Sequence, residues 1–215
     1  MGQLFKERQA ELGCSADQAW EYMSDLRRAM TLDQFHLGID CSLADALNPK
    51  AGLVVPIFHR ILGWDMLRMG RITKFSDYEI AWGESTVQGE FDTFPHSEGW
   101  KIEAINSNSC LVTLWMKGQW RTPVGSRIQE HLWDKVIGPN LDRDIADLGN
   151  ACGAEMVRPV EDLPKEAGEL LYLAFAQEVN GQQAQEFFDG TPPLYADKDA
   201  TFSFEQFGIT PQPTS

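Results

Sequence analysis

Residues 126–152 read SRIQEHLWDKVIGPNLDRDIADLGNAC. Apolar side chains recur at Ile128, Leu132, Val136, Leu141, Ile145 and Leu148, the three-and-four spacing of one helix face. Gly138-Pro139 interrupts that face. A proline inside a helix removes a backbone hydrogen bond and crowds the preceding turn, at about 3 kcal/mol. Either two helices meet at a tight turn here, or one helix is bent so that it closes over something. The chain before it decides between the two.

Upstream, the pattern changes twice. LFKERQAELGC alternates loosely, with Leu4, Arg8, Ala10 and Leu12 on one phase, and reads as a strand. SADQAWEYMSDLRRAMTLDQF follows as a helix, capped by Ser15 and carrying Ala19, Trp20 and Met23 on its apolar face. A second short helix is expected around residues 30–36. From Gly38 to Arg121 the period is two. The clearest hairpin has Trp100, Ile102 and Ala104 on one arm and Cys110, Val112, Leu114 and Met116 on the other. Asn106-Ser107-Asn108-Ser109 forms its turn. A meander with one apolar face needs a cover. Only the helix at 126–152 is long enough to supply it, and a helix bent at Gly138-Pro139 follows a curved sheet better than a straight rod. The expected class is therefore α+β, with a curved antiparallel sheet gripping a long kinked C-terminal helix. A cavity of at least roughly 300 Å³ is expected between them.

This order of elements, with SADQAWEYMSDLRR after strand one and IQEHLWDKVIGPNLDRDIADL at the end, resembles the helix-grip fold. Its superfamily comprises START domains, Bet v 1-like proteins and the polyketide cyclase/dehydrase and lipid-transport proteins. Ser15, Asp17 and Trp20 are similar to the usual opening of its first helix. The resemblance covers about residues 3–152. It implies an elongated cavity for a hydrophobic small molecule such as a lipid or polyketide, and in some members cyclisation or dehydration. Residues 153–215 depart from it. They read as an acidic helical extension, with Leu171, Phe175 and Val179 at helical spacing and a frayed Pro-rich end. Two units are thus expected, a ligand-binding domain at 1–152 and the extension at 153–215.

The net charge of −14 is uneven, since residues 153–215 carry 3 Lys+Arg against 11 Asp+Glu. An acidic surface repels nucleic acid and anionic membranes. No apolar run reaches the roughly 18–20 residues of a membrane span, and MGQLFKERQA lacks the apolar core of an export signal. A cytoplasmic address follows, with Cys14, Cys41, Cys110 and Cys152 reduced.

None of the strong catalytic motifs occurs: no H-E-x-x-H, G-x-S-x-G, phosphate-binding glycine loop or dinucleotide fingerprint. His36, His59, His96 and His131 are scattered, so neither a metal site nor a cofactor is expected. Three polar residues fall on inward strand phases. His59 follows Leu53, Val55 and Ile57; Glu84 follows Tyr78, Ile80 and Trp82; Arg8 shares the phase of Leu12. Each is either a polar anchor or acid/base for a ligand, or a structural ion pair or strand-end group reaching solvent. Trp82, Trp100 and Trp120 line the presumed inner face, and Leu132 and Val136 the helix face, as candidate ligand contacts. The leading expectation is binding of a hydrophobic small molecule. Its alternatives are a cofactor-free polyketide cyclase or dehydratase, and an interaction module working through the extension, which would be a lid or a homodimer seam.

Overall fold

The computed structural model describes residues 2–61, 64–86, 96–120 and 133–156. The strands are β1 (Gly2–Leu12), β2 (His36–Ile39), β3 (Val54–Ile61), β4 (Trp64–Ser76), β5 (Glu79–Thr86), β6 (His96–Asn106) and β7 (Ser109–Trp120). Between β1 and β2 lie helices α1 (Ala16–Met23) and α2 (Leu26–Ala29); α3 (Leu43–Leu47) separates β2 from β3. A π-helical turn, Trp133–Ile137, leads into α4 (Gly138–Ala151). All the strands form one antiparallel half-barrel sheet, ordered β1-β7-β6-β5-β4-β3-β2, with α4 packed against β1 and β7. The α+β architecture expected from the sequence is the one observed.

Local chemistry explains the elements. Ser15 and Gln18 form a reciprocal capping box on α1, satisfying N–H groups that the first turn leaves free. Asp25 caps α2 and also pairs with Arg27. The second short helix therefore ends at Ala29, earlier than the sequence pattern suggested, and His36 opens a strand instead. At the β4–β5 turn Tyr78 adopts φ 63°, an unusual conformation for a residue with a side chain. Its ring packs near Trp20 and its hydroxyl donates to Asp17. The β6–β7 turn is closed by Asn106, which accepts from the Asn108 N–H and donates to Ser109 Oγ.

The proline resolves into something between the two expectations. Pro139 stands in the first turn of α4, where an α-helix leaves N–H groups unbonded in any case. Ile137 keeps helical dihedrals, φ −65° and ψ −43°, so the backbone does not leave the helix between the two segments. The wider π-helical turn absorbs the fault. Gly138 lies close against side chains of β1. A Cβ at Gly138 would run into the Arg8 guanidinium and would lie 3.3 Å from Cε of Lys6. One turn earlier the Trp133 indole lies against Gly118 of β7, where a Cβ would be 2.6 Å from the ring.

Buried side chains of the inner sheet face and of the helices form the core. Leu141, Ile145 and Leu148 of α4 are fully buried, as are Ile57, Ile72, Ile80 and Trp82 of the sheet. Among the described residues no helix is long and apolar enough to cross a membrane. Of the extension only its first residues, through Met156, are described, where Met156 bridges to Leu12. The helices expected at 161–190 lie outside the described residues.

Candidate functional site

Five neighbouring strands each contribute one polar side chain to a single cluster on the inner face. His36 comes from β2, His59 from β3, Arg68 from β4, Glu84 from β5 and His96 from β6. Strand pairing explains the convergence: His36 is the register partner of His59, and His96 that of Glu84. On β4, Arg68 shares its phase with Gly70 and Ile72, both buried. Glu84 is the hub. Its Oε2 lies 3.0 Å from His59 Nε2, 3.4 Å from Arg68 Nε and 3.8 Å from His96 Nε2. Its Oε1 lies 3.4 Å from His36 Nε2 and accepts from Trp82 Nε1 at 2.9 Å. The Glu84 and Arg68 side chains have no exposed surface.

Two of the rings are fixed from behind. His36 Nδ1 donates to the Met30 carbonyl at 2.5 Å and His59 Nδ1 to the Ile57 carbonyl at 3.2 Å. Carbonyls only accept, so each Nδ1 carries the hydrogen and each Nε2 is turned toward Glu84. Burial alone would push the Glu84 carboxyl up. The His36, His96 and His59 rings and the Arg68 guanidinium more than offset this and hold it well below the usual carboxylate range. Burial also lowers the His59 imidazole, against the pull of the neighbouring Glu84 carboxylate.

A second buried polar group lies on α4. Gln34 donates to Asn140 Oδ1 at 2.5 Å, and Asn140 donates to Asp144 Oδ2 at 3.2 Å. Asp144 Oδ1 has no hydrogen-bond partner among the described residues. Burial first, then Asp33 and Glu98, raise the Asp144 carboxyl well above its usual range. Burial, Asp33 and Glu84 do the same to Glu98 on β6. Opposed shifts are thus built into one interior: the Glu84 carboxyl is held down, while those of Glu98 and Asp144 are pushed up.

This gives a prediction with a definite sign. A carboxyl whose folded pKa is raised stabilises the fold below its unfolded pKa, and that contribution is lost as pH rises toward the folded value. Asp144→Asn removes the ionisation and keeps an acceptor for Asn140. It should therefore raise the melting temperature near pH 8 by a few degrees, from about 1–3 kcal/mol, and change it little near pH 4. Thermal melts of both proteins across that range check the result; an equal shift at both ends would count against a raised Asp144 carboxyl.

Of the candidate residues read from the sequence, His59 and Glu84 meet in this cluster, with Trp82 bonded to Glu84. Trp100 is buried on the adjacent strand, its indole N–H without a partner among the described residues. Val136 is buried in the π-helical turn. Arg8 lies elsewhere, on edge strand β1, where its Nε pairs with Asp142 of α4 at 3.1 Å. That is the ion-pair reading: it ties the helix to the sheet. Trp120 ends β7, but its side chain, like Leu132 and His131, lies outside the described residues. Sequence reasoning missed His36, Arg68, His96, Glu98, Asn140 and Asp144. The inward alternation Arg68-Gly70-Ile72 was a usable signal for one of them. Far from being scattered, three of the four histidines converge on one carboxylate.

No family model matches the chain, and no curated protein matches it. Solved structures do. The Zhui aromatase/cyclase from Streptomyces sp. R1128 is 12% identical, with 71% of this chain and 94% of that chain covered at a TM-score of 0.55. A START superfamily protein from Mycobacterium smegmatis is 15% identical, with 71% and 98% covered at 0.52. Ara h 8.0201 is 13% identical, with 70% and 98% covered at 0.51. At these identities the likeness shows the fold, which is the helix-grip fold.

Proposed function

We propose that this helix-grip chain binds a mainly apolar small molecule between the sheet and α4, with an oxygen-bearing end of the ligand on the His36–His59–Arg68–Glu84 cluster. The observation that carries this is the cluster itself. Several charged or titratable groups are buried on the same face as Ile57, Ile72, Ile80 and Trp100. Burying such groups costs stability that apolar packing would not, so a role in stability alone is a poor account of them. The fold likeness supports the reading, since its matches include a protein described as an aromatase/cyclase. Native mass spectrometry of the full chain, purified gently, tests it. The expected result is a bound metabolite retained by the wild type and weakened in Glu84→Gln. Absence of any such ligand, with no uptake from a metabolite extract, would remove this reading.

A second reading is turnover of the ligand, as a cyclase or dehydratase acting on a polyketide-like carbonyl compound. The opposed shifts of the neighbouring Glu84 and Glu98 carboxyls favour it, because groups of unlike proton affinity side by side suit acid and base roles. The extension at 153–215 is proposed to dock on the domain or on a second copy. Light scattering after truncation at Cys152 tests that part.

A further inference from the structure

We propose that His36, His59 and Glu84 form a site for a divalent transition-metal ion, in a chain whose sequence pointed to none. The three ligand atoms lie within 4.8 Å of one another, and all three residues are buried. Zinc bonds of about 2.0–2.2 Å to nitrogen and oxygen hold such atoms roughly 3.2–3.5 Å apart. His59 Nε2 and His36 Nε2 already stand 3.0 and 3.4 Å from the Glu84 oxygens. Closing the set onto a metal needs side-chain shifts of about an ångström at most.

Hydrogen-bond accounting makes the stronger case. Met30 and Ile57 carbonyls hold the hydrogens on Nδ1 of the two rings. Each Nε2 therefore presents a lone pair, and both point at a carboxylate that also only accepts. Acceptors facing acceptors in a dry interior repel unless a cation lies between them. Giving each ring a second hydrogen would instead gather two imidazoliums and Arg68 around one carboxylate, at a large burial cost. Backbone carbonyls behind Nδ1 are also the usual orienting partners of metal-bound histidines. Arg68 does not block the site, because a carboxylate has about four lone-pair positions to share. His96, with Nε2 3.8 Å from Glu84 Oε2, borders the set.

Two nitrogens and a carboxylate suit Zn²⁺, Fe²⁺, Co²⁺ or Mn²⁺ rather than Ca²⁺ or Mg²⁺. On this assignment His59 and Glu84 are ligands and not proton acceptors. The ion would instead polarise an oxygen of whatever small molecule is bound. The site does not depend on that molecule's identity.

Full-length protein, stripped with a chelator and dialysed, is titrated with Co²⁺ and separately with Zn²⁺. The expected result is about one equivalent bound per chain, a visible absorption band from bound Co²⁺, and a higher melting temperature with Zn²⁺. His36→Gln and His59→Gln should each weaken binding by about 10–100-fold or more. No binding by the folded wild type, or binding unchanged in both variants, overturns the proposal. The wild-type titration decides even where a variant fails to fold. It is also independent of ligand capture, so metal can fail while small-molecule binding stands, or the reverse.

Discussion

Glu84→Ala should lower the folding free energy by about 3–5 kcal/mol, the usual cost of removing one side of a buried ion pair. The substitution takes the counter-charge from Arg68, whose side chain has no exposed surface. It also takes the acceptor from the Trp82 indole N–H. Glu84→Gln should cost less, since its amide oxygen still accepts from Trp82. Urea denaturation of the three proteins, with comparable slopes, gives the comparison. A cost below about 1 kcal/mol for Glu84→Ala would mean that water reaches the cluster. The pH dependence has a fixed sign. Because the folded Glu84 carboxyl is held below its unfolded value, its contribution is complete above the unfolded value and fades as pH falls through the folded one. That part of the acid sensitivity should be missing from Glu84→Gln.

Trp82→Ala should be comparably severe, about 3–5 kcal/mol, through a cavity at the centre of the sheet. Trp82 is fully buried, as are Ile80 on its own strand and Ile72, its register partner on β4. Collapse into the void is opposed by the polar groups next to it, because moving them would strip their hydrogen bonds. Trp82 and Glu84 share a hydrogen bond, so the double variant should be less damaged than the two single costs added together, by about 0.5–3 kcal/mol. Strict additivity in a double-mutant cycle would show that the bond contributes nothing to stability.

Both predictions fall on residues that the sequence marked as inward-facing. The alternations Val55-Ile57-His59 and Ile80-Trp82-Glu84 are read correctly without coordinates, because side chains of a strand point to opposite faces in turn and one face is packed on a core. The Ser15 cap and the β6–β7 turn were legible for the same kind of reason. Their hydrogen bonds close within a few residues, so the signal is local. The helix at Gly138-Pro139 was half legible. Its period and its fault were both visible, but a π-helical turn is one way among several to absorb a proline, and the pattern does not choose among them.

The short elements β2 and α3 left no such trace. Four or five residues are too few for a period to show, and β2 exists because β3 offers it an edge. The cluster belongs to this second kind of information. His36, His59, Arg68, Glu84 and His96 are spread over 61 residues of chain. Only the registers of β2 through β6 bring them to one place. The ionisation of Glu84, Glu98 and Asp144 is more remote still from the sequence, since it depends on burial supplied by α4 and the sheet together. Sequence alone determined which faces are apolar and which polar residues interrupt them, because alternation and helical period are properties of consecutive residues. Tertiary structure alone decided which of those interruptions meet, because an electrostatic contact depends on distance through space and on the absence of water around it.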